Sequence, residues 1–335
     1  MTPLLAPASR LSAIALAVAL AHGPTSAQDT LDVDAKSYPN RTIRIIVPFP
    51  PGGPADIVAR FVGQRMSEDW GQPVVIENRA GGNTAIGAQA AARSSPDGYT
   101  LFAPMDTTMV MNPLVTPNLP YDPLKDFAPL IQTTAIPLIV VGSPKFEPNN
   151  FREVMALAKQ KPNNVTMGNS GMGTAAHIGM AMLDSMAGIQ FLHVPYKGIP
   201  PAVIDLMSGQ LQMLVTSPAQ VMGQVREGKM KALVVTGTSR MPHLPNVGTV
   251  QEAGVPGYSA YAWIGLVVPS QTPRDIVVKL NREIASILNL PDIKARLEND
   301  GSAIVASTPE AFGAHIRAEL VKWEKVIRSA GIKAE

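Results

Sequence analysis

The sequence predicts an α/β protein of two lobes joined by two crossover segments. Three observations carry that expectation. Strand-like apolar runs alternate with helical periodicity along most of the chain, which implies crossover connections and parallel sheets. Two apolar segments, Ala135 to Gly142 and Ala262 to Val268, interrupt the alternation. After the second only helical patterns remain, as expected of a chain returning to the lobe in which it began. Lobe one is therefore expected to hold residues 38–137 and 263–335, and lobe two residues 138–262, with the two apolar segments as the hinge.

The elements follow in order. Thr42 to Phe49 reads as a buried strand, Pro50 to Pro54 breaks it, and Ile57, Val58, Phe61, Val62, Arg65 and Met66 keep helical spacing. Val74 to Glu77 is a second strand. A loop from Arg79 to Thr84 leads into the Ala-rich helix Ala85 to Arg93, and Pro96-Asp97-Gly98 turns into the strand Tyr99 to Ala103. Beyond the first apolar segment come a helix from Phe151 to Gln160, a strand from Val165 to Gly168 and a helix from Thr174 to Met186. Phe191 to Val194, Pro201 to Met207, Leu211 to Val215, Pro218 to Glu227 and Ala232 to Thr236 continue the rhythm. The helices Arg274 to Leu288, Pro291 to Asn299 and Glu310 to Ser329 close the chain.

Composition narrows the function. Of 335 residues, 46 % are hydrophobic and 16 % charged, a globular balance with material for sizeable cores. A formal charge of +2 gives no reason to expect nucleic acid as a partner. The absence of cysteine excludes disulfides, thiolate nucleophiles and cysteine-ligated metals. The five histidines (His22, His177, His193, His243 and His315) show no metal-ligand spacing. At the N-terminus Arg10 precedes an apolar run from Leu11 to Ala21, and small residues Thr25, Ser26 and Ala27 follow. That is the pattern of a secretory signal peptide over residues 1–27, too short in its apolar part to span a membrane. An exported chain without a membrane anchor is expected.

In open α/β sheets, ligands sit beyond the carboxyl ends of the strands, against helix N-termini. Three strand-to-helix loops suit that place: Phe49 to Asp56, with Gly52 and Gly53; Gly168 to Thr174, with Ser170, Gly171 and Gly173; and Met105-Asp106-Thr107-Thr108. Their glycines let backbone approach a ligand closely, and the helix starts beyond them offer free N–H groups to an anion. Enzyme readings are weaker. Met172 stands where the nucleophile motif G-x-S-x-G needs its last glycine, and no carboxylate is nominated to orient His177 toward Ser170. Arg79 to Gly87 lacks the P-loop lysine and the pattern G-x-G-x-x-G.

Taken together the loops resemble a known family. Ile45-Ile46-Val47-Pro48-Phe49-Pro50-Pro51-Gly52-Gly53-Pro54-Ala55-Asp56 is similar to the opening signature of the Bug family, the extracytoplasmic solute receptors of tripartite tricarboxylate transporters. Glu77 to Asn83, Pro96 to Thr100, Gly171 to His177, His193 to Gly198, Ala232 to Thr236 and Glu252 to Gly257 match further blocks in order. The resemblance implies a type II periplasmic binding-protein fold, with a small organic acid held between the lobes. It implies a non-enzymatic monomer without a cofactor, serving the permease subunits of such a transporter. Carried over by position, the ligand-binding candidates are Pro51, Gly52, Gly53, Pro54, Ala55, Thr107, Ser170, Gly173, Thr174 and His177. Trp263, beside the second crossover, is a further candidate that core packing would explain equally well.

One departure narrows the ligand. After the strand Leu211 to Val215 the family pattern carries an aspartate, and here stand Thr216-Ser217-Pro218. Without that acid an ammonium group loses its natural partner, so a dicarboxylate or aromatic acid is expected rather than an amino acid. Asp106, in the third loop, could stand in for it. A receptor that reports to a sensory partner, or a hydrolase built on Ser170, are the rival readings.

Overall fold

The computed structural model describes residues 35–299 and 301–329; the signal segment lies outside them. The first section runs β1 (Ile43–Val47), α1 (Pro54–Trp70), β2 (Val74–Asn78), α2 (Ala85–Ala92) and β3 (Thr100–Phe102), then one turn of π-helix and α3 (Asn112–Val115), then β4 (Phe127–Pro137). The second section holds β5 (Ile139–Gly142), α4 (Phe151–Gln160), β6 (Thr166–Asn169), α5 (Ala175–Ala187), β7 (Leu192–Pro195), α6 (Ile199–Ser208), β8 (Met213–Thr216), α7 (Met222–Arg226) and β9 (Lys231–Val235). The chain ends with β10 (Tyr261–Pro269), α8 (Arg274–Leu288), α9 (Pro291–Asn299), β11 (Ala303–Ile304) and α10 (Pro309–Ser329).

Two sheets result, one per lobe. The first has six strands in the order β11-β4-β10-β3-β1-β2, and the second has five in the order β7-β6-β8-β5-β9. Local chemistry accounts for the elements. Pro54 opens α1, where its missing N–H costs nothing, and Gly71 closes it in a left-handed conformation while donating its N–H to Ser67. Between these ends Ala55, Val58, Ala59, Val62 and Met66 form the buried stripe of an amphipathic helix. Along β5 the side chains divide: Ile139 and Val141 enter a cluster confined to lobe two, and Val140 joins the larger cluster. That is the period of two of a strand covered on both faces.

The expectation of parallel sheets holds only in part. β1 pairs in parallel with β2 and β3, and β6 with β7 and β8. β10 runs antiparallel to β3 and β4, and β5 antiparallel to β8 and β9. Strand direction leaves no trace in a side-chain period, so the sequence could not reveal it. The final section is also not purely helical, because β11 adds an edge to β4. The segment Pro218 to Glu227 contains a short turn of 3₁₀ helix and the five-residue α7 rather than one helix.

Where the sheets join, the backbone is pinned. The chain passes from β4 to β5 through Leu138 and returns between β9 and β10. Thr236 sits between both passages, fully buried. Its hydroxyl accepts the N–H of Leu138 at 2.8 Å and donates to the carbonyl of Ala260 at 2.6 Å. Its own N–H donates to Leu138 O, and Ala260 N–H donates to Thr236 O. Among the described residues, no helix is long and apolar enough to cross a membrane.

Candidate functional site

The first candidate loop ends β1 and begins α1. Gly52 adopts φ +84°, and its N–H donates to Asp56 Oδ2 at 2.8 Å. Asp56 is buried and also receives Arg60 Nε at 2.9 Å and Asn78 Nδ2 at 2.9 Å. Burial by itself would raise the carboxyl's pKa, but the hydrogen bonds from Arg60, Gly52 and Asn78 outweigh it and hold the group below its usual range. Gly53 caps α1 without a side-chain hydrogen bond, so the N–H groups of the first turn stay available to an anion at the positive end of a 17-residue helix. Pro51, Gly52 and Pro54 are exposed, Gly53 is half-buried, and Ala55 is buried beneath them.

The second loop joins β6 to α5 in the other lobe. Asn169 Oδ1 accepts the N–H of Gly171, which stands at φ +136°. Thr174 caps α5: its hydroxyl accepts the N–H of His177 at 3.3 Å and donates to Gly171 O at 2.8 Å. Gly173, at φ +72°, donates its N–H to His177 Nδ1 at 3.2 Å. Ser170 is partly exposed at the loop's start. Among the described residues, the hydrogen bonds of His177 run to Gly173 and Thr174, so Ser170 gains no base from it.

The third loop turns inward. Thr107, half-buried, opens the π-helical turn, and Asp106 before it is 1 % exposed. Asp106 Oδ1 accepts the N–H of Trp263 at 3.4 Å, and Oδ2 has no protein partner. Burial pushes its pKa up to about 7, with the charge of Glu319 adding to the rise and the hydrogen bond from Trp263 opposing it. Trp263 is itself 1 % exposed, its ring edge-on to Phe312 at 5.3 Å and to His315 at 5.5 Å between centroids. It stands in the core of lobe one.

Between the lobes lies a small cavity of about 40 Å³, room for roughly one water molecule. Pro54, Ile57, Ile136 and Ile264 line it from one sheet's side, and Ser217 and Ala219 from the other. Nearby the lobes touch: a Cβ at Gly301 would stand 2.9 Å from Pro218 and Met241. The loop that departs from the family pattern borders this space. Thr216 and Ser217 both donate their hydroxyls to Gln220 Oε1, at 2.6 Å and 3.1 Å. A larger cavity, about 550 Å³, lies beside α5 and is lined by Lys159, His177, Asp184 and His193. There His193 Nε2 meets Asp184 Oδ2 at 2.8 Å.

The glycines are legible in the sequence, but the roles of Asp56 and Asn169 are not: each holds a loop amide. Ser217, in the segment that departs from the family pattern, faces the space between the lobes. The i to i+4 spacing from Gly52 to Asp56 was the available signal for the first. Among the described residues, no group of three acidic or histidine side chains could hold a metal ion.

The chain is similar to known solute receptors along most of its length. The profile of the tripartite tricarboxylate transporter family receptors matches residues 58–332. The protein BugT of Bordetella pertussis is 33 % identical over 302 residues, covering 90 % of this chain and 93 % of its own length. Among solved structures, R. palustris Rpa4515 with adipate is 32 % identical with a TM-score of 0.80, over 89 % of this chain and 100 % of the other. MatC from Rhodopseudomonas palustris with bound malate is 32 % identical with a TM-score of 0.74, over 87 % and 100 %.

Proposed function

The chain belongs to the tripartite tricarboxylate transporter family receptors, and from that membership we propose that it is a periplasmic receptor that closes around a small non-amino carboxylate and passes it to the membrane subunits of such a transporter. The observation that carries the reading is the pair of glycine loops, one per lobe, each leading into a helix N-terminus. A carboxylate satisfies such amides without needing a cationic side chain. The contacts in this reading come from Pro51 to Ala55, Thr107, Ser170, Gly173 and Thr174, with His177 and Trp263 behind them. Residues 38–137 with 263–335, and 138–262, are the two bodies that close, and residues 1–27 are removed after Ala27 on export.

The choice of acid follows from what borders the cleft. The apolar side chains Ile57, Ile136 and Ile264 suit a hydrocarbon stretch between polar ends. Thr216 and Ser217 offer hydroxyls where an acid would receive an ammonium group, and both are engaged by Gln220. Asp106 is no substitute: it is buried beside Trp263, and its raised pKa weakens its claim on a cation. The relatives solved with adipate and malate support an acid of this class.

Thermal shift against succinate, malate, adipate, citrate, benzoate, aspartate and glutamate tests the reading. A true ligand at about 100 times its dissociation constant adds roughly 2.7 kcal/mol of stability. One of the non-amino acids is expected to give the largest shift. A larger shift with aspartate or glutamate would overturn the ligand class, and no shift with any carboxylate would overturn the function.

A further inference from the structure

Both loops are held by one device, a glycine N–H donated to the side chain four residues on. In lobe one the acceptor is the Asp56 carboxylate. In lobe two it is the imidazole of His177, 5 % exposed on the first turn of α5. Resting on the reading that this loop receives the ligand, we infer that His177 is a positioning residue: its Nδ1 holds the Gly173 amide, and with it the path of the loop into α5, without touching the ligand itself.

The geometry requires a particular form of the ring. Nδ1 can accept from Gly173 N–H only in the neutral imidazole that carries its proton on Nε2. Gly173 stands at φ +72°, a conformation a glycine leaves easily unless something holds it. The 3.2 Å hydrogen bond supplies that restraint. On its other side the ring lies edge-on to His193, with 5.5 Å between centroids.

Burial of the ring and the neighbouring His193 favour the neutral form. His193 faces it from β7, Asp184 from α5 itself and Lys159 from α4, all lining the same cavity. Tyr258 packs on the same helix and donates its hydroxyl to Gly179 O. Burial first, and then the positive charge His193 can carry, push the pKa of His177 down to about 4. The lone pair is therefore present at neutral pH and is lost as the pH falls toward that value. An imidazolium would then set one donor against another at Gly173. The folded pKa lies below that of a free histidine, so the matching stability is complete above about pH 6.5 and declines as the pH drops toward 4.

Two variants and two readouts test the inference. His177→Phe keeps a ring but removes the acceptor, and His177→Asn places a carbonyl oxygen near the position of Nδ1. The backbone amide of Gly173 is followed by NMR in the ligand-free protein, and adipate affinity by calorimetry between pH 4 and pH 8. His177→Phe is expected to move the Gly173 amide resonance, speed its exchange and weaken adipate about tenfold or more. His177→Asn should restore the amide and keep affinity within about threefold of the parent. Its affinity relative to the parent should rise below pH 5, because protonation of adipate affects both proteins alike. An unmoved Gly173 amide in His177→Phe would overturn the inference, as would His177→Asn binding as weakly as His177→Phe. If the parent does not bind adipate while the amide responds as described, the positioning role stands and the proposed ligand falls.

Discussion

The loops at Gly52 and Gly173 solve one problem with two acceptors. In lobe one a buried carboxylate takes the glycine amide and is itself held by Arg60 and Asn78. In lobe two a lone imidazole nitrogen takes the amide, and the donors around it are few. The first arrangement is a network in which removing the acceptor strands several donors at once. The second is a single bond that depends on one protonation state. The lobe-one loop is thus held by several bonds and the lobe-two loop by one. The helix caps follow the same division. Gly53 leaves the first amides of α1 free, whereas Thr174 occupies the His177 amide of α5.

The two clamps differ most at Asp56. Asp56→Ala removes the acceptor of Gly52 N–H and one acceptor each from Arg60 and Asn78, and a loss of about 2–3 kcal/mol in folding stability is expected. Denaturant unfolding measures it, and adipate calorimetry should show weaker binding alongside. A stability loss no greater than that of His177→Phe would mean that the two clamps are equivalent.

A smaller effect on stability, with a larger share in binding, is expected at Gly173. A Cβ there would meet Val115 at 3.3 Å, and the positive φ strains a branched residue by about 1–2 kcal/mol. Gly173→Val should therefore lose at least about tenfold in adipate affinity while remaining folded by circular dichroism. Affinity retained in Gly173→Val would move the site off the second loop. The smallest change sharpens the picture. Ser170→Ala is expected to cost about 1 kcal/mol of binding, one hydrogen bond's worth, with no change in melting temperature of the free protein. Equal loss of affinity and stability would make Ser170 a structural hydroxyl.

Much of the fold is legible in the order of the residues. The stripe of α1 and the apolar run of β1 carry their periods openly, and α4, α8 and α9 begin and end where their patterns do. The part of β4 before Ala135 is not legible, because it contains Pro129, Gln132, Thr133 and Thr134. Those residues make sense only beside their partners: Gln132 N–H donates to Ser307 Oγ and the Thr133 hydroxyl to Ile264 O, both distant in sequence. A two-residue strand such as β11 is too short to show any period. In the site, the glycines are visible because their conformational role is written in their identity. The acceptors of their amides are harder to see, since a carboxylate and an imidazole at the same spacing look unrelated until the bonds are drawn. Trp263 shows the opposite limit: a large aromatic beside a hinge is equally at home in a cleft or a core, and here its burial among Phe312 and His315 puts it in the core.

The bonds of Thr236 to Leu138 and Ala260 have a practical consequence for anyone wishing to watch the protein work. Both chain passages between the lobes are fastened to one side chain, so a reporter need not be placed at the ligand or at either loop. Under the proposed closure, a separation measured across the fastening changes when the ligand binds. The chain has no cysteine, so two thiols introduced on the outer faces of the sheets would be the only sites for dye attachment. One dye pair then suffices to turn the proposed closure into an optical signal of ligand binding.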